Sequence, residues 1–311
     1  MSKPNGKAPA LPGVFICLYG PSKAGKTVAS AAAGATGAFI GSPSGLLSAR
    51  KFLGSHTLNV LSAQMVPDAT AAIRSLVNGK SQPSIVIDDF SLMVESTINE
   101  YESSKGRSGM WSALTRDVLE IRDAARDATE RGTIVIFNCH EQPPRTSSGK
   151  AVRGGPALPG QLPEKFSGMV DVIARVVYEP TAAPWKYQLC FEPQSDYVCG
   201  DRLGVFPGRA PMNIAEGLRH AGYLVPYPKG LEWMPNVVDK LSQKILEQGI
   251  SSWPEVLQPA FGKLKEEGGY RPAHIRWALQ DALHRAVIQN YENTGIQESF
   301  SIADEEEALF V

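Results

Sequence analysis

The stretch LYGPSKAGKTVAS (18–30) constrains the fold of this chain most, because it joins a strand to a helix through a loop with fixed glycine spacing. The apolar run VFICLY (14–19) predicts a strand buried on both faces, and the alanine-rich KTVASAAAGA predicts the start of a helix. The loop fits GxxxxGK[ST], a pattern whose backbone N–H groups curl around phosphate oxygens at a helix N-terminus. We therefore predict that this loop binds nucleotide phosphates through Gly20, Pro21, Ser22, Lys23, Ala24, Gly25, Lys26, Thr27 and Val28.

Two side chains of this loop have defined roles in the pattern. Lys26 is expected to reach the β- and γ-phosphates and to act in catalysis by neutralising charge in the transition state. Thr27 is expected to ligate Mg²⁺ through its hydroxyl group. The alternative is a glycine-rich turn with no ligand, but the position between a strand and a helix favours the nucleotide.

The run IVIDDF (85–90) predicts another apolar strand, which ends in two acids. Asp88 is the predicted metal ligand, because a carboxylate at a strand end can hold Mg²⁺ through water. Asp89 is a candidate catalytic base that would orient or activate the attacking water. The alternative is that one of the two aspartates only caps the following helix.

A further strand, GTIVIFNCHE (132–141), ends in polar residues at the sheet edge where ligands collect in open α/β sheets. His140 is the predicted sensor of the γ-phosphate, and Glu141 is a second candidate base. The alternative for His140 is a hydrogen-bonded histidine near a strand end.

Strands alternate with helices along the first half of the chain, which predicts an α/β fold with a mostly parallel sheet covered on both faces. The long helical region 91–131 is expected to be interrupted near 103–109. Residues 142–168 are predicted to be a long loop, 169–180 and 186–193 two strands, and 235–248, 253–267 and 271–291 three short helices.

The chain divides, by prediction, into four parts. Residues 1–12 are a flexible lead, 13–212 a nucleotide-binding core, 213–292 a small helical domain and 293–311 an acidic disordered tail. The tail ADEEEALFV has an apolar tip that would either stay solvated, dock on a partner such as a single-strand-binding protein, or compete with nucleic acid for a basic loop of the protein.

Composition excludes several classes of function. The net charge is −1, so a nucleic acid contact must come from a local basic patch. No apolar run approaches a membrane span, no signal peptide is recognisable, and the cysteines form no CxxC pair. These features predict a cytoplasmic protein without a membrane partner or a zinc site.

The motifs GPSKAGKT, IVIDDF and FNCHE, followed by GGPALPGQLPEKF, resemble the RecA-like P-loop ATPases over about residues 13–193. The similarity is greatest to phage-encoded members linked to single-strand annealing and recombination. The resemblance implies a RecA-like core, ATP and Mg²⁺ as cofactors, and a homo-oligomeric ring or filament. It also implies single-stranded DNA as partner, bound by residues 142–166.

Within that predicted DNA loop, Arg145, Lys150 and Arg153 can neutralise phosphates. In a ring or filament, Arg175 and Lys186 would reach a neighbour's phosphates. One departure from the family pattern is the absence of an acid after the predicted short strand AFIG (38–41), the second along the chain, where the chain has Ser42 and Ser44. This departure weakens the expectation of fast hydrolysis.

Two other functions stay open at this point. One is a packaging or assembly motor ATPase, although no acidic cluster typical of a nuclease domain follows residue 170. The other is a nucleotide-gated structural or interaction protein with weak hydrolysis, which the missing acid favours. ATP is preferred over GTP, because no [NT]KxD run follows the sensor strand.

Overall fold

The structure is a computed structural model that describes residues 12–53, 58–79, 82–147, 150–178, 187–204, 206, 208–266 and 268–294. The strands are β1 (Phe15–Gly20), β2 (Ala38–Ile40), β3 (Val60–Leu61), β4 (Ser84–Ile87), β5 (Ile134–Gln142), β6 (Arg145–Ser147), β7 (Lys150–Val152), β8 (Gly155–Pro156), β9 (Val172–Tyr178), β10 (Tyr187–Cys190), β11 (Gly200–Asp201) and β12 (Arg209–Pro211). The helices are α1 (Lys26–Gly34), α2 (Leu47–Leu53), α3 (Val66–Asn78), α4 (Phe90–Glu130), α5 (Leu162–Met169), α6 (Ile214–His220), α7 (Met234–Gln248), α8 (Trp253–Glu266) and α9 (Pro272–Thr294), with a 3₁₀ turn at Ile250–Ser252.

The central sheet has the strand order β12-β10-β9-β1-β5-β4-β2-β3, with β8 and β11 paired to β5 and β9 beside this row. The strands from β9 to β3 in this row are parallel, and the remaining pairs are antiparallel. This arrangement confirms the predicted α/β class with a mostly parallel sheet. Strand β5 lies between β1 and β4, so the polar end of β5 lies in the sheet between the strand that leads into the phosphate loop and the strand that leads to the two aspartates.

Both faces of the sheet are covered, as the continuous apolar strands predict. In β1, Ile16 and Leu18 join an apolar cluster on one face, and Phe15, Cys17 and Tyr19 join a second cluster on the other face. Helices α1, α2, α6, α7 and α9 contribute to the first cluster, and α3, α4 and α5 contribute to the second. The carboxyl edge of the sheet therefore lies between two layers of helices.

Helix α4 is two helices joined at a kink. Gly106 has φ 68 and ψ 167, which no helical residue adopts. The Tyr101 hydroxyl group donates a hydrogen bond of 2.5 Å to Asp117 Oδ2, although these residues would lie about 24 Å apart in a straight helix. The two halves therefore fold back on each other, and the predicted interruption near 103–109 is confirmed.

The three C-terminal helices predicted from the sequence are present as α7, α8 and α9. They enclose a small cluster of their own around Trp253, Leu257 and Leu283. Helices α7 and α9 also pack on the first face of the sheet through Val238 and Trp277. The division into a core and a helical domain stays a prediction, and residues 295–311 of the predicted tail lie outside the described residues.

The prediction of one long loop over 142–168 is wrong. Strands β6 and β7 form a two-stranded ribbon in this region, β8 pairs with β5, and α5 packs on the sheet. Phe166 of α5 is fully buried, with its ring stacked on Phe90 at a centroid distance of 5.5 Å. These elements escape sequence analysis because each is too short to show a period.

The two strands predicted at 169–180 and 186–193 are confirmed by β9 and β10, and the turn between them lies outside the described residues. Along the described part of the chain, no helix combines the length and the apolar character that crossing a membrane requires.

Candidate nucleotide-binding site

The phosphate loop lies between the end of β1 and the start of α1, as predicted. A side chain at Gly20 would place its Cβ 2.7 Å from Val176 Cβ, so the neighbouring strand β9 allows only glycine there. Gly25, directly before α1, has φ +88, a left-handed conformation that glycine adopts without strain. The two glycines of the motif are therefore required by packing and by backbone conformation respectively.

Lys26 is 6% exposed and folds back over the loop. Its Nζ donates hydrogen bonds to the carbonyl oxygens of Gly20, at 3.0 Å, and Pro21, at 2.7 Å. Burial lowers the pKa of this ammonium group, and the charges of Asp89 and Asp88 act in the opposite direction. The ammonium group thus lies within the loop, where bound phosphate oxygens would replace the two carbonyl groups as its partners.

Thr27 and Asp88 are in direct contact, as expected for two ligands of one metal ion. Thr27 Oγ1 lies 3.1 Å from Asp88 Oδ1 and 3.2 Å from Asp88 Oδ2. Asp88 is 3% exposed, and burial raises the pKa of its carboxyl group to about 6. A cation beside this carboxylate would favour its ionised form and offset the effect of burial.

Asn138 is a residue of the site that sequence analysis did not single out. It is fully buried, and its Nδ2 donates to Asp88 Oδ1 at 2.8 Å and to Ser30 Oγ at 2.9 Å. Its Oδ1 is buried without a hydrogen-bond partner. The sequence signal for Asn138 is its position in FNCHE, at the polar end of a buried strand. Its contact with Asp88 depends on the strand order, in which β5 lies between β1 and β4.

The residues present fit Mg²⁺ and a nucleotide. A hydroxyl group and a carboxylate are hard oxygen ligands of the kind Mg²⁺ uses together with substrate phosphates. A cavity of about 500 Å³ lies next to them and is lined by Ser22, Lys23, Gly25, Lys26, Thr27, Gly45, Ser48, Asp89, Leu92 and His140. In the described part of the chain, no group of three or more His, Cys, Asp or Glu residues could hold a metal by itself. Phosphate and water would therefore complete the coordination.

Asp89 and His140 lie together at this cavity. His140 Nε2 is 3.7 Å from Asp89 Oδ1, and the His140 backbone N–H donates to Ser91 Oγ at 3.0 Å. Asp89 has φ 55 and ψ 41, a left-handed conformation that is costly for a residue other than glycine. The structure thus brings the predicted base and the predicted sensor to one wall of the cavity.

Glu141, the second candidate base, is held by an arginine of the same chain. Arg175 donates from Nε to Glu141 Oε2 at 2.8 Å and from Nη2 to Oε1 at 3.2 Å. The Arg175 guanidinium also lies over the Tyr197 ring, 3.4 Å from its centroid. Both oxygens of Glu141 are therefore engaged, whereas Asp89 faces the cavity. Lys186, predicted to act with Arg175 in a neighbouring subunit, lies outside the described residues.

The family pattern places an acid just after β2, and this chain has Ser42 and Ser44 there. Ser42 and Ser44 are exposed, and their hydroxyl groups are 2.8 Å apart. Neither belongs to the cavity wall, to which this segment contributes Gly45 and Ser48.

The predicted DNA-binding residues lie on the ribbon that continues β5. Arg145 is in β6, Lys150 begins β7, and Arg153 follows β7. Arg145 and Arg153 are exposed and line one cavity of about 480 Å³. Among the described residues, neither guanidinium group pairs with a carboxylate. The structure thus brings two cations together near the nucleotide edge, and their role in DNA binding stays a prediction.

Comparison with known proteins agrees with this geometry. A family model described as an AAA domain matches residues 13–203, which is more than half of the chain. No curated protein matches the chain. The match covers β1, the phosphate loop, Asp88 and Asn138, while the narrower resemblance to phage RecA-like proteins remains a prediction. The chain therefore belongs to the AAA domain family of nucleotide-binding P-loop ATPases.

Proposed function

We propose that this protein hydrolyses ATP and acts on single-stranded DNA as a homo-oligomer. The observation that carries the ATPase part is the contact of Thr27 with Asp88 directly beside the folded-back Lys26. A phosphate loop alone could bind many anions. A hydroxyl group and a buried carboxylate in contact next to it favour a nucleotide with a divalent cation.

Each residue of the site has a defined task in this proposal. The loop N–H groups and Lys26 bind the phosphates, and Thr27 and Asp88 hold Mg²⁺. Asn138 orients Asp88 through its hydrogen bond of 2.8 Å. When bound, the metal ion neutralises charge on the phosphate oxygens.

Hydrolysis needs a water molecule held in line with the γ-phosphorus. Asp89 is the best-placed residue for this task, because it lines the cavity, and its left-handed backbone is a conformation that clusters at active sites. As water oxygen bonds to phosphorus, the bond from phosphorus to the β–γ bridging oxygen breaks, and the water proton passes to Asp89. His140, 3.7 Å from Asp89 Oδ1, would position that carboxylate or contact the γ-phosphate.

The DNA part of the proposal rests on the resemblance and is supported by two observations. Arg145 and Arg153 are exposed, line a common cavity and can neutralise backbone phosphates. Strand β5 continues from Asn138 and His140 through Gln142 towards the ribbon, so a change at the nucleotide can reach it. Such a protein would serve phage recombination or replication in the cytoplasm of a host cell.

ATP turnover with and without single-stranded DNA tests the whole proposal. Stimulation by DNA is expected, with loss of that stimulation in Arg145→Ala/Arg153→Ala at moderate salt. Lys240→Ala, which removes an exposed cation from α7, is the matched control and should behave as wild type. Turnover that DNA leaves unchanged would contradict the DNA part but not the ATPase part.

The variant Asp89→Asn tests the assignment of the base. It should bind ATP as wild type does, because Asp89 contacts neither Thr27 nor Lys26 by a hydrogen bond, and it should lose turnover. Glu141→Gln is the comparison. If Glu141→Gln abolished turnover while Asp89→Asn retained it, the base would be Glu141.

A nucleotide-gated interaction protein with weak hydrolysis is the second candidate function. The observation that favours it is the engagement of Glu141 by Arg175, which leaves Asp89 as the sole acid among the residues that line the cavity in the described structure. ATP binding without measurable turnover, with or without DNA, would support this second function.

A further inference from the structure

Two cysteines outside the nucleotide site are brought together by the pairing of β9. Strand β10 pairs with one end of β9 and places Cys190 opposite Arg175. Strand β11 pairs with the other end and places Gly200 opposite Ile173. Cys199, directly before Gly200, therefore lies next to Cys190 along the same edge of β9, with residues 191–198 looping out between them.

The surroundings of the two thiols are unequal. Hydrogen bonding from Cys190 lowers the pKa of Cys199 to about 7, and the Tyr19 hydroxyl group, 3.6 Å from Cys199 Sγ, acts in the same direction. The backbone and the guanidinium charge of Arg175 also stabilise the Cys199 thiolate. The same hydrogen bond, together with burial, raises the pKa of Cys190. Cys199 is therefore the more acidic thiol of the two, and Cys190 is the less acidic one.

Cys199, the thiol with the lower pKa, is also the more exposed of the two. Cys199 is partly exposed and lines a cavity of about 550 Å³ that also borders Phe191, Asp201 and Arg202. Cys190 is fully buried behind it. The other two cysteines, Cys17 and Cys139, have their sulfur atoms 3.9 Å apart but are both fully buried in the core. A small polar reagent would therefore meet Cys199 first.

We propose that Cys190 and Cys199 are a redox-active thiol pair that hydrogen peroxide converts to a disulfide. Cys199 thiolate attacks one peroxide oxygen, so an S–O bond forms, the O–O bond breaks, and the departing hydroxide takes up a proton to become water. Cys190 sulfur then attacks Cys199 Sγ, so the S–S bond forms and the S–O bond breaks. The hydroxide that leaves takes up the Cys190 proton as a second water. The two thiols are oxidised by two electrons and the peroxide is reduced.

Peptide mapping of the full-length protein tests the proposal. The reduced protein is treated with hydrogen peroxide, the remaining thiols are blocked with iodoacetamide, and the digest is analysed by mass spectrometry. Of the four thiols, two should be lost in one cross-link that joins Cys190 to Cys199, while Cys17 and Cys139 stay free. A cross-link between Cys17 and Cys139, or four thiols that all remain free, would overturn the proposal.

Single variants separate the attacking thiol from the second thiol. In Cys190→Ser, Cys199 should gain oxygen without forming an internal disulfide. In Cys199→Ser, the remaining thiols should stay reduced, and oxidation of Cys190 at the wild-type rate would contradict the proposed order. If either variant fails to fold by circular dichroism, the alkylation rate of Cys199 in the wild type decides. That rate should rise steeply through about pH 7, and a rise only above pH 8.5, the range of an ordinary thiol, would contradict the assignment.

Discussion

Asp88 at the nucleotide edge and Asp281 in the C-terminal helices are both buried carboxylates, 3% and 0% exposed. They differ in whether a cavity lies next to them. Asp88 accepts hydrogen bonds from Thr27 and Asn138 and lies beside an open cavity. Burial raises the pKa of both groups, to about 6 for Asp88 and about 7 for Asp281. Burial and a raised pKa alone therefore do not distinguish a reactive site from a structural one.

Asp281 is surrounded by hydrogen-bond donors of the protein. Its carboxylate accepts hydrogen bonds from Asn213 Nδ2, from Arg219 Nη1 at 3.0 Å and from the Tyr227 hydroxyl group at 2.9 Å. Arg219 also pairs with the fully buried Glu216 at 2.9 Å. Every oxygen of Asp281 has a protein partner, so this network joins α6 to α9. Both oxygens of each carboxylate have protein partners, so the difference between the two acids is the cavity next to Asp88 and Thr27.

The largest expected effect is on stability, at the closed network. Asp281→Ala removes the shared acceptor of three buried donors and should lower the free energy of unfolding by about 3–5 kcal/mol, the range for breaking a buried ion pair. Chemical denaturation measures this value. The control is Asp239→Ala, whose carboxylate is 64% exposed and should cost less than about 1 kcal/mol. Equal losses of stability in the two variants would show that the hydrogen bonds to Asp281 contribute no more than those of an exposed carboxylate.

The next largest effect is on catalysis, at the open site. Lys26→Ala should lower ATP turnover about a hundredfold to a thousandfold, because it removes a donor that stabilises charge in the transition state. Lys240→Ala, on the exposed face of α7, should leave turnover unchanged. Normal hydrolysis by Lys26→Ala would show that the loop does not hold the phosphates during catalysis.

Asp88→Asn should raise the stability of the protein while lowering its ATPase activity. The amide oxygen can still accept from Asn138, and the buried charge is gone, so the ligand-free variant should be more stable than wild type at pH 8 by about 2–3 kcal/mol. Mg²⁺-dependent ATP turnover should fall sharply, because the proposed carboxylate ligand of the metal ion is lost. A variant that loses stability at pH 8 would contradict the assignment of a buried charge without a strong cationic partner.

The pH dependence of that difference follows from the sign of the shift. The pKa of Asp88 is about 6 in the folded protein and 3.8 ordinarily, so the folded state binds the proton more tightly. The cost of the buried charge is present above pH 6 and is relieved as pH falls through 6 towards 4. The stability gap between Asp88→Asn and wild type should therefore shrink between pH 8 and pH 5. A gap that stays constant would contradict the raised pKa.

The smallest expected effects are on stability, and they come from replacing a glycine in the C-terminal helices and a glycine in the phosphate loop. Gly262→Ala in α8 has open space around the added Cβ and should raise the free energy of unfolding by about 0.5–1 kcal/mol. Gly25→Ala should lower it by about 1–2 kcal/mol, because φ +88 strains any residue with a Cβ. Thermal unfolding of both variants measures the contrast. Stabilisation by Gly25→Ala would show that the phosphate loop is not constrained by its backbone.

Local patterns predicted the elements that carry the chemistry. The loop between β1 and α1, the acids after β4 and the polar end of β5 follow from buried strands that end in polar residues, because parallel strands bring such ends to one edge. The kink in α4 and the three C-terminal helices were also predictable, from glycine and from helical spacing. Helix α2, the ribbon β6–β7 and α5 were missed, because short elements carry too few residues for a period to emerge.

The sequence by itself determined that this chain has a phosphate loop on an α/β sheet, since glycine spacing, a lysine and a buried strand are properties of contiguous residues. Only the tertiary structure decided which distant side chains meet. Strand order places Asn138 on Asp88, pairing across β9 places Cys190 beside Cys199, and Arg175 engages Glu141 while Asp89 faces the cavity. Such contacts depend on how strands are ordered in the sheet, and no local pattern of residues records that order.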